Sequence, residues 1–172
     1  MIKFIDLFCG VGGFRIALEN AGHECVFSSD IDRYAGWVYE YKFGEKPSGD
    51  ITKINAEDIP DHDLLCGGVP CQSWSMAGKR RGFEDARGTL WYDVFRIAKV
   101  KKPKYLLLEN VKGILSHDEG RSFEKILEAI CEIGYVVDYT LVNSKYFGVP
   151  QNRERVFILA IRKDLVNKEL IV

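Results

Sequence analysis

No apolar run in these 172 residues approaches the roughly 18 consecutive positions that a membrane-spanning helix needs. The opening segment, residues 1–6, also lacks a signal-peptide layout, because Asp6 breaks its apolar stretch. These two absences predict a cytoplasmic protein. No two of the five cysteines form a C-x-x-C pair, and only three histidines are scattered among them, so neither a disulfide framework nor a zinc site is indicated. Free thiols and no metal are expected. Charge of one sign is missing as well: 24 Lys and Arg against 25 Asp and Glu leave a net −1. That excludes a protein holding nucleic acid by bulk electrostatics and leaves any such contact to local clusters. Repeats, low-complexity tracts and linkers are absent. What is there, 47% hydrophobic and 28% charged residues, is the composition of one well-buried globular domain over residues 1–172.

Changes of hydrophobic period outline the fold. Residues 2–8 form a short apolar run ending in glycines, after which Phe14, Ala17, Leu18 and Ala21 fall at i, i+3, i+4 and i+7, with Gly22 as the stop. Residues 25–27 and the aromatic-rich 33–43, followed by Gly44, repeat the strand–helix pattern. Residues 64–66 read as a buried strand, and the chain from Gly67 to Gly88 as a long loop. A helix follows over 90–100, closed by Pro103, and 105–108 is a strand buried on both faces. Phe123, Ile126, Leu127, Ile130 and Cys131 predict another amphipathic helix, and 135–142 and 156–161 two last strands. This alternation predicts an α/β fold: an open, mostly parallel sheet wrapped by helices, with a terminal antiparallel strand pair. Such sheets bind ligands beyond the carboxyl ends of their strands. There the predicted strands deliver Asp6 with the glycines, Asp30, Gly68 to Cys71, and Glu109.

Phe8-Cys9-Gly10-Val11-Gly12-Gly13-Phe14 links a strand to a helix, a setting where glycines admit a ligand to backbone N–H groups and a helix N-terminus. A dinucleotide fingerprint counted from Gly10 needs glycine where Arg15 stands, which counts against a pyrophosphate site. Asp30 has two readings at this stage, an acceptor for a ribose diol or a cap for the helix opening near Arg33. Cys71 sits on a glycine- and proline-shaped turn, with Lys79, Arg80, Arg81 and Arg87 in the same loop. Nearby cations favour thiolate over thiol and so make a nucleophile. Cys25, Cys66 and Cys131, on apolar faces, read instead as small buried thiols. The basic run is either an exposed solubilising patch or an element that closes over phosphates. Glu109, directly after the most apolar strand, is a buried carboxyl placed to give or hold a proton, or a helix cap. Arg153 and Arg155, at i and i+2, either converge on one site or face solvent from an edge strand.

In this order, the stretches Asp6-Leu7-Phe8-Cys9-Gly10-Val11-Gly12-Gly13-Phe14, Gly49-Asp50-Ile51, Gly68-Val69-Pro70-Cys71-Gln72, Glu109-Asn110-Val111 and Gln151-Asn152-Arg153-Glu154-Arg155 resemble the motifs of cytosine-C5 DNA methyltransferases of bacterial restriction-modification systems. The resemblance spans nearly the whole chain. It implies a Rossmann-like fold binding S-adenosyl-L-methionine: Phe8, Gly10, Gly12, Gly13 and Asp30 at its methionine and ribose parts, Asp50 and Ile51 at its adenine, and Ile31, Pro70 and Leu90 in the same pocket. It also implies that Cys71 adds to C6 of a cytosine flipped out of duplex DNA, Glu109 holds the N3 and amino edge, and Arg155 with Arg153 stabilises charge. Gln72, Ser75, Lys79, Arg80, Arg81, Arg87 and Gln151 are then expected at the DNA or the base.

Ser73-Trp74-Ser75 departs from the Pro-Phe-Ser type of sequence that many members carry. Family members continue into a target-recognition domain and two further motifs, the last completing the cofactor pocket. The expectation is therefore a catalytic portion without the recognition region, served by a complementing polypeptide. Two alternatives stay open: a non-catalytic S-adenosylmethionine-binding module that pairs with another protein or DNA, and a cytosine-C5 methyltransferase acting on transfer RNA. A nicotinamide-dependent oxidoreductase is disfavoured by Arg15.

Overall fold

A computed structural model of the chain describes residues 1–70 and 90–167. Six strands form one sheet in the order β2-β1-β3-β4-β6-β5: β1 Lys3–Leu7, β2 Glu24–Ser29, β3 Leu64–Gly68, β4 Tyr105–Val111, β5 Tyr135–Asn143 and β6 Glu154–Arg162. The first four run parallel, and β6 lies antiparallel between β4 and β5. The expected terminal antiparallel pair is thus present. Among the described residues four α-helices, α1 Gly13–Asn20, α2 Arg33–Phe43, α3 Leu90–Lys101 and α4 Arg121–Glu132, accompany the sheet.

The central strands are apolar on both faces, as a covered parallel sheet requires. On one face Ile5, Leu7, Leu65, Leu106 and Leu108 pack with Val94, Phe95 and Ile97 of α3 and Ile126 and Ile130 of α4. Phe4, Leu64 and Cys66 take the other face, with Phe14 and Leu18 of α1 against them. The spacing of Phe123, Ile126 and Ile130 along α4 is why that helix lies flat on the sheet with its charged face outward. None of the helices among the described residues is long and apolar enough to cross a membrane.

Direction matters more for function than the core does. Because β1 to β4 are parallel, the turns after all four leave at one edge. Being antiparallel, β6 starts at that edge, and Arg155 in its first turn of ladder lies opposite Val111 of β4.

Candidate active site

That edge carries a cavity of about 580 Å³, within the roughly 300–1,000 Å³ of small-molecule sites. Phe8 and Gly10 after β1, Asp30 and Ile31 after β2, Asp50 and Ile51, Pro70 after β3 and Leu90 at the start of α3 all line it. These are all the residues expected at a cofactor except Gly12 and Gly13. Gly12 has a different surrounding: its φ of +87° opens α1, and a Cβ there would fall on the Phe43 ring of α2. It lets two helices meet, a role independent of any ligand. A Cβ added at Gly13 would meet no atom within 4 Å.

The turn after β1 is held in an unusual shape. Phe8 takes a φ of +54°, a strained conformation for a bulky side chain. Three bonds fix it: Cys9 N donates to Ser29 O at 3.0 Å, Gly12 N to Cys9 O at 2.8 Å, and Gly10 N to Asp30 Oδ2 at 2.7 Å. Asp30 Oδ1 accepts from Asp32 N at 2.7 Å. Of the two readings of Asp30, the helix cap is excluded. Asp32 caps α2, accepting from Tyr34 N and Ala35 N at 2.8 and 3.1 Å. Asp30 ties the glycine turn to β2 and keeps lone pairs for a further donor. Asp50 caps the 3-10 turn Ile51–Lys53, and the hydroxyl and backbone N–H of Thr52 hold its carboxyl below the usual range. Arg96 of α3 clamps the same turn by donating to Ile51 O at 2.6 Å.

Arg15, which spoiled the dinucleotide fingerprint, points away from the cavity. Its guanidinium donates to Glu19 at 2.7 Å and Tyr39 Oη at 3.1 Å, pairs with Glu45, and lies over the Phe43 ring. Beneath the glycine turn, Asp6 is fully buried, and neither oxygen has a hydrogen-bond partner among the described residues. Burial pushes its carboxyl up to about 7, only partly offset by the positive charge of nearby Arg15. Burial likewise raises the thiols of Cys9, Cys25 and Cys66, so these three remain thiols at neutral pH; of them, Cys25 and Cys66 were read as small buried thiols from the sequence.

Beyond β3 and β4 lies the second half of the site. Glu109 Oε1 and Arg155 Nε are 2.6 Å apart, both side chains about one-fifth exposed. Antiparallel β6 brings the guanidinium to the carboxyl at 109. Gly68 lies close to the carboxylate: a Cβ there would stand 3.2 Å from Glu109 Oε2, so the carboxylate would have to shift by a few tenths of an ångström. Asn110, buried, donates from Nδ2 to Val69 O at 2.9 Å, and Val69 N donates to Glu109 O at 3.2 Å. Both backbone groups of Val69 are therefore fixed, just ahead of Pro70. Arg153 and Gln151 stay exposed ahead of β6 and take Ser144 N and Ser144 Oγ on their carbonyls. Of the arginine pair, only Arg155 is brought to Glu109.

Cys71, Gln72, Ser75, Lys79, Arg80, Arg81 and Arg87 lie outside the described residues. Among the described residues, no three His, Cys, Asp or Glu side chains come together as a metal-ligand set. Sequence reasoning overlooked the cap at Asp32, which its place ahead of Arg33-Tyr34 could have signalled, and the Asn110 clamp, which has no signal in spacing.

The profile of the C-5 cytosine-specific DNA methylase family matches residues 2–171. Over 164 residues the chain is 51% identical to the type II methyltransferase M.HhaI of Haemophilus parahaemolyticus, covering 95% of itself and 50% of that protein. Against M.NgoBI of Neisseria gonorrhoeae it is 51% identical over 165 residues, with 96% and 52% covered. The fold is shared with the S. pombe Dnmt2 methyltransferase, at a TM-score of 0.77 and 24% identity over 95% of this chain and 51% of that one. A mutant of Spodoptera frugiperda DNMT2 gives 0.77 and 26%, over 98% and 52%. The chain spans about half the length of each of these relatives. By the profile, which matches nearly its whole length, it belongs to the C-5 cytosine-specific DNA methylase family.

Proposed function

We propose that this chain carries the methyl-transfer chemistry of a DNA cytosine-C5 methyltransferase, with residues beyond these 172, in one chain or as a complementing polypeptide, choosing the target sequence. Enzymes of this family take their methyl group from S-adenosylmethionine. The cavity residues suit that molecule: Phe8, Ile51, Pro70 and Leu90 offer apolar walls for a flat base, and Asp30 and Asp50 offer carboxylates for hydroxyl and amino donors. When bound, the cofactor supplies an electrophilic methyl group.

The single observation that carries the reading is the Glu109–Arg155 pair, which shares Gly68 with the cavity wall. A cytosine ring brought there meets an acceptor for its amino group and a cation for the electron density that addition places on the ring. Cys71 follows directly on the anchored Val69-Pro70, and its thiolate adds to C6. The S–C6 bond forms as the C5–C6 double bond opens, so electron density reaches C5, which would take the methyl group as its bond to the cofactor's sulfonium breaks and a neutral thioether is left. Loss of the C5 proton and elimination of the thiolate restore the ring. Glu109 accepts from the amino group, and from N3 once N3 takes from solvent the proton that offsets the charge addition sends there; N3 gives that proton back as the thiolate leaves, and Arg155 keeps Glu109 in place. Lys79, Arg80, Arg81 and Arg87 supply the local positive charge that a chain of net −1 needs at phosphates.

The test is labelled methyl transfer from S-adenosylmethionine by the chain supplied with the remaining half of its relatives' length. Duplex DNA and transfer RNA are offered side by side. Label on C5 of cytosine in DNA is expected; label confined to transfer RNA, or persisting in Cys71→Ser, contradicts the reading.

A further inference from the structure

Ser29 is the last residue of β2, pairs with Leu7 of β1, and is 1% exposed, yet it lines the cavity. Its carbonyl accepts from Cys9 N, but its hydroxyl oxygen has no hydrogen-bond partner among the described residues. Buried hydroxyls in folded proteins are nearly always bonded, and an unpartnered one on a residue that lines a cavity needs a partner that the cavity can supply. The neighbouring Ser28 points to the other face, where it meets the hydroxyl of Tyr39. If Ser29 served only packing, alanine would fill the position without an orphaned oxygen.

Strand alternation places Ser29 on the same face as Leu7 and Phe27, which pack in one cluster with Ile51 and Leu90, the apolar walls of the cavity. The next residue along is Asp30, whose two oxygens each already accept one backbone N–H. We infer that the Ser29 hydroxyl is an additional cofactor contact, hydrogen-bonded to the adenosyl part of S-adenosylmethionine beside the Asp30 carboxylate. This rests on the reading of the cavity as the cofactor site. A hydroxyl both donates and accepts, so it complements a carboxylate that only accepts.

Calorimetry of the full chain with S-adenosylmethionine and with 5′-methylthioadenosine, which lacks the amino-acid part, tests it alongside melting of the ligand-free protein. Ser29→Ala is expected to melt at or above the wild-type temperature when ligand-free, because it removes an unpaired buried oxygen, and to bind both ligands about five- to tenfold more weakly. Ser29→Cys, which keeps the packing and donates only weakly, should show a smaller loss of the same kind. Wild-type affinity in Ser29→Ala, a loss for S-adenosylmethionine alone, or a ligand-free protein that melts well below wild type would each overturn the inference. A wild-type chain that binds neither compound would instead overturn the cofactor reading beneath it.

Discussion

Asn110 uses both ends of its amide on backbone, Nδ2 on the Val69 carbonyl and Oδ1 on the Val111 N–H. Asn110→Asp keeps the shape and the second bond but turns an acceptor toward Val69 O. Losing a buried donor of this kind costs about 1–3 kcal/mol. We expect kcat of the complemented enzyme to fall at least tenfold, with S-adenosylmethionine binding within twofold of wild type. Equal losses in both would mark Asn110 as merely structural. Glu109→Gln removes the charge opposite Arg155 but not the shape: methyl transfer should be lost while cofactor binding, read by calorimetry, is kept. Asp6 makes stability depend on pH. Its carboxyl has an ordinary value of 3.8 and is pushed up to about 7 in the fold. Between those values the folded chain holds a proton that the unfolded chain has released, so stability falls as pH rises through this window and levels off above it. The melting-point gain of Asp6→Asn over wild type should therefore be larger at pH 8 than at pH 5, by about 3 °C or more. Equal gains at both would show that Asp6 is ionised in the fold.

At the level of elements, the glycine turn between β1 and α1 separates two jobs that one motif seems to share. Gly10, at φ +54° and lining the cavity, would place a Cβ in open space, whereas Gly12, at φ +87°, would place one on Phe43. Left-handed backbone alone costs a non-glycine residue about 1–2 kcal/mol. Gly10→Ala should lose about that much stability together with cofactor affinity. Gly12→Ala should lose more stability, measured by denaturant melting, and regain cofactor affinity once folded at lower temperature. The strands and helices were legible because their apolar residues keep clean periods; the glycine turn, Asp30 and Gly68 to Pro70 were legible because strand ends are where chain and ligand meet, whereas Ile31, Asp50, Ile51 and Leu90 came only with the family resemblance. The pairing of Arg155 with Glu109 was not, since it depends on β6 inserting between β4 and β5, and sequence order says nothing about sheet order. The fates of Asp30 and Arg15 were likewise settled by tertiary partners: the nearby Asp32 took the cap, and Glu19, Glu45 and Tyr39 drew the guanidinium aside.

Across the whole molecule, the described residues form a sheet with its chemistry at one edge, in a chain of net charge −1 that spans about half the length of its relatives. Such a charge gives little general attraction for phosphates, so the chain alone should bind duplex DNA weakly and without sequence preference at physiological salt. Nanomolar binding of the chain alone to one duplex sequence in a titration would contradict this. The central claim concerns chemistry. A cytosine carrying fluorine at C5 has no proton to lose there, so a thiolate that has added to C6 cannot be eliminated after methyl transfer. The measurement is denaturing electrophoresis of the complemented protein incubated with S-adenosylmethionine and duplex DNA containing 5-fluorocytosine, followed by peptide mapping. A DNA-linked band that depends on the cofactor, maps to Cys71 and vanishes in Cys71→Ser is the predicted result; no band, or a band that survives in Cys71→Ser, would contradict it.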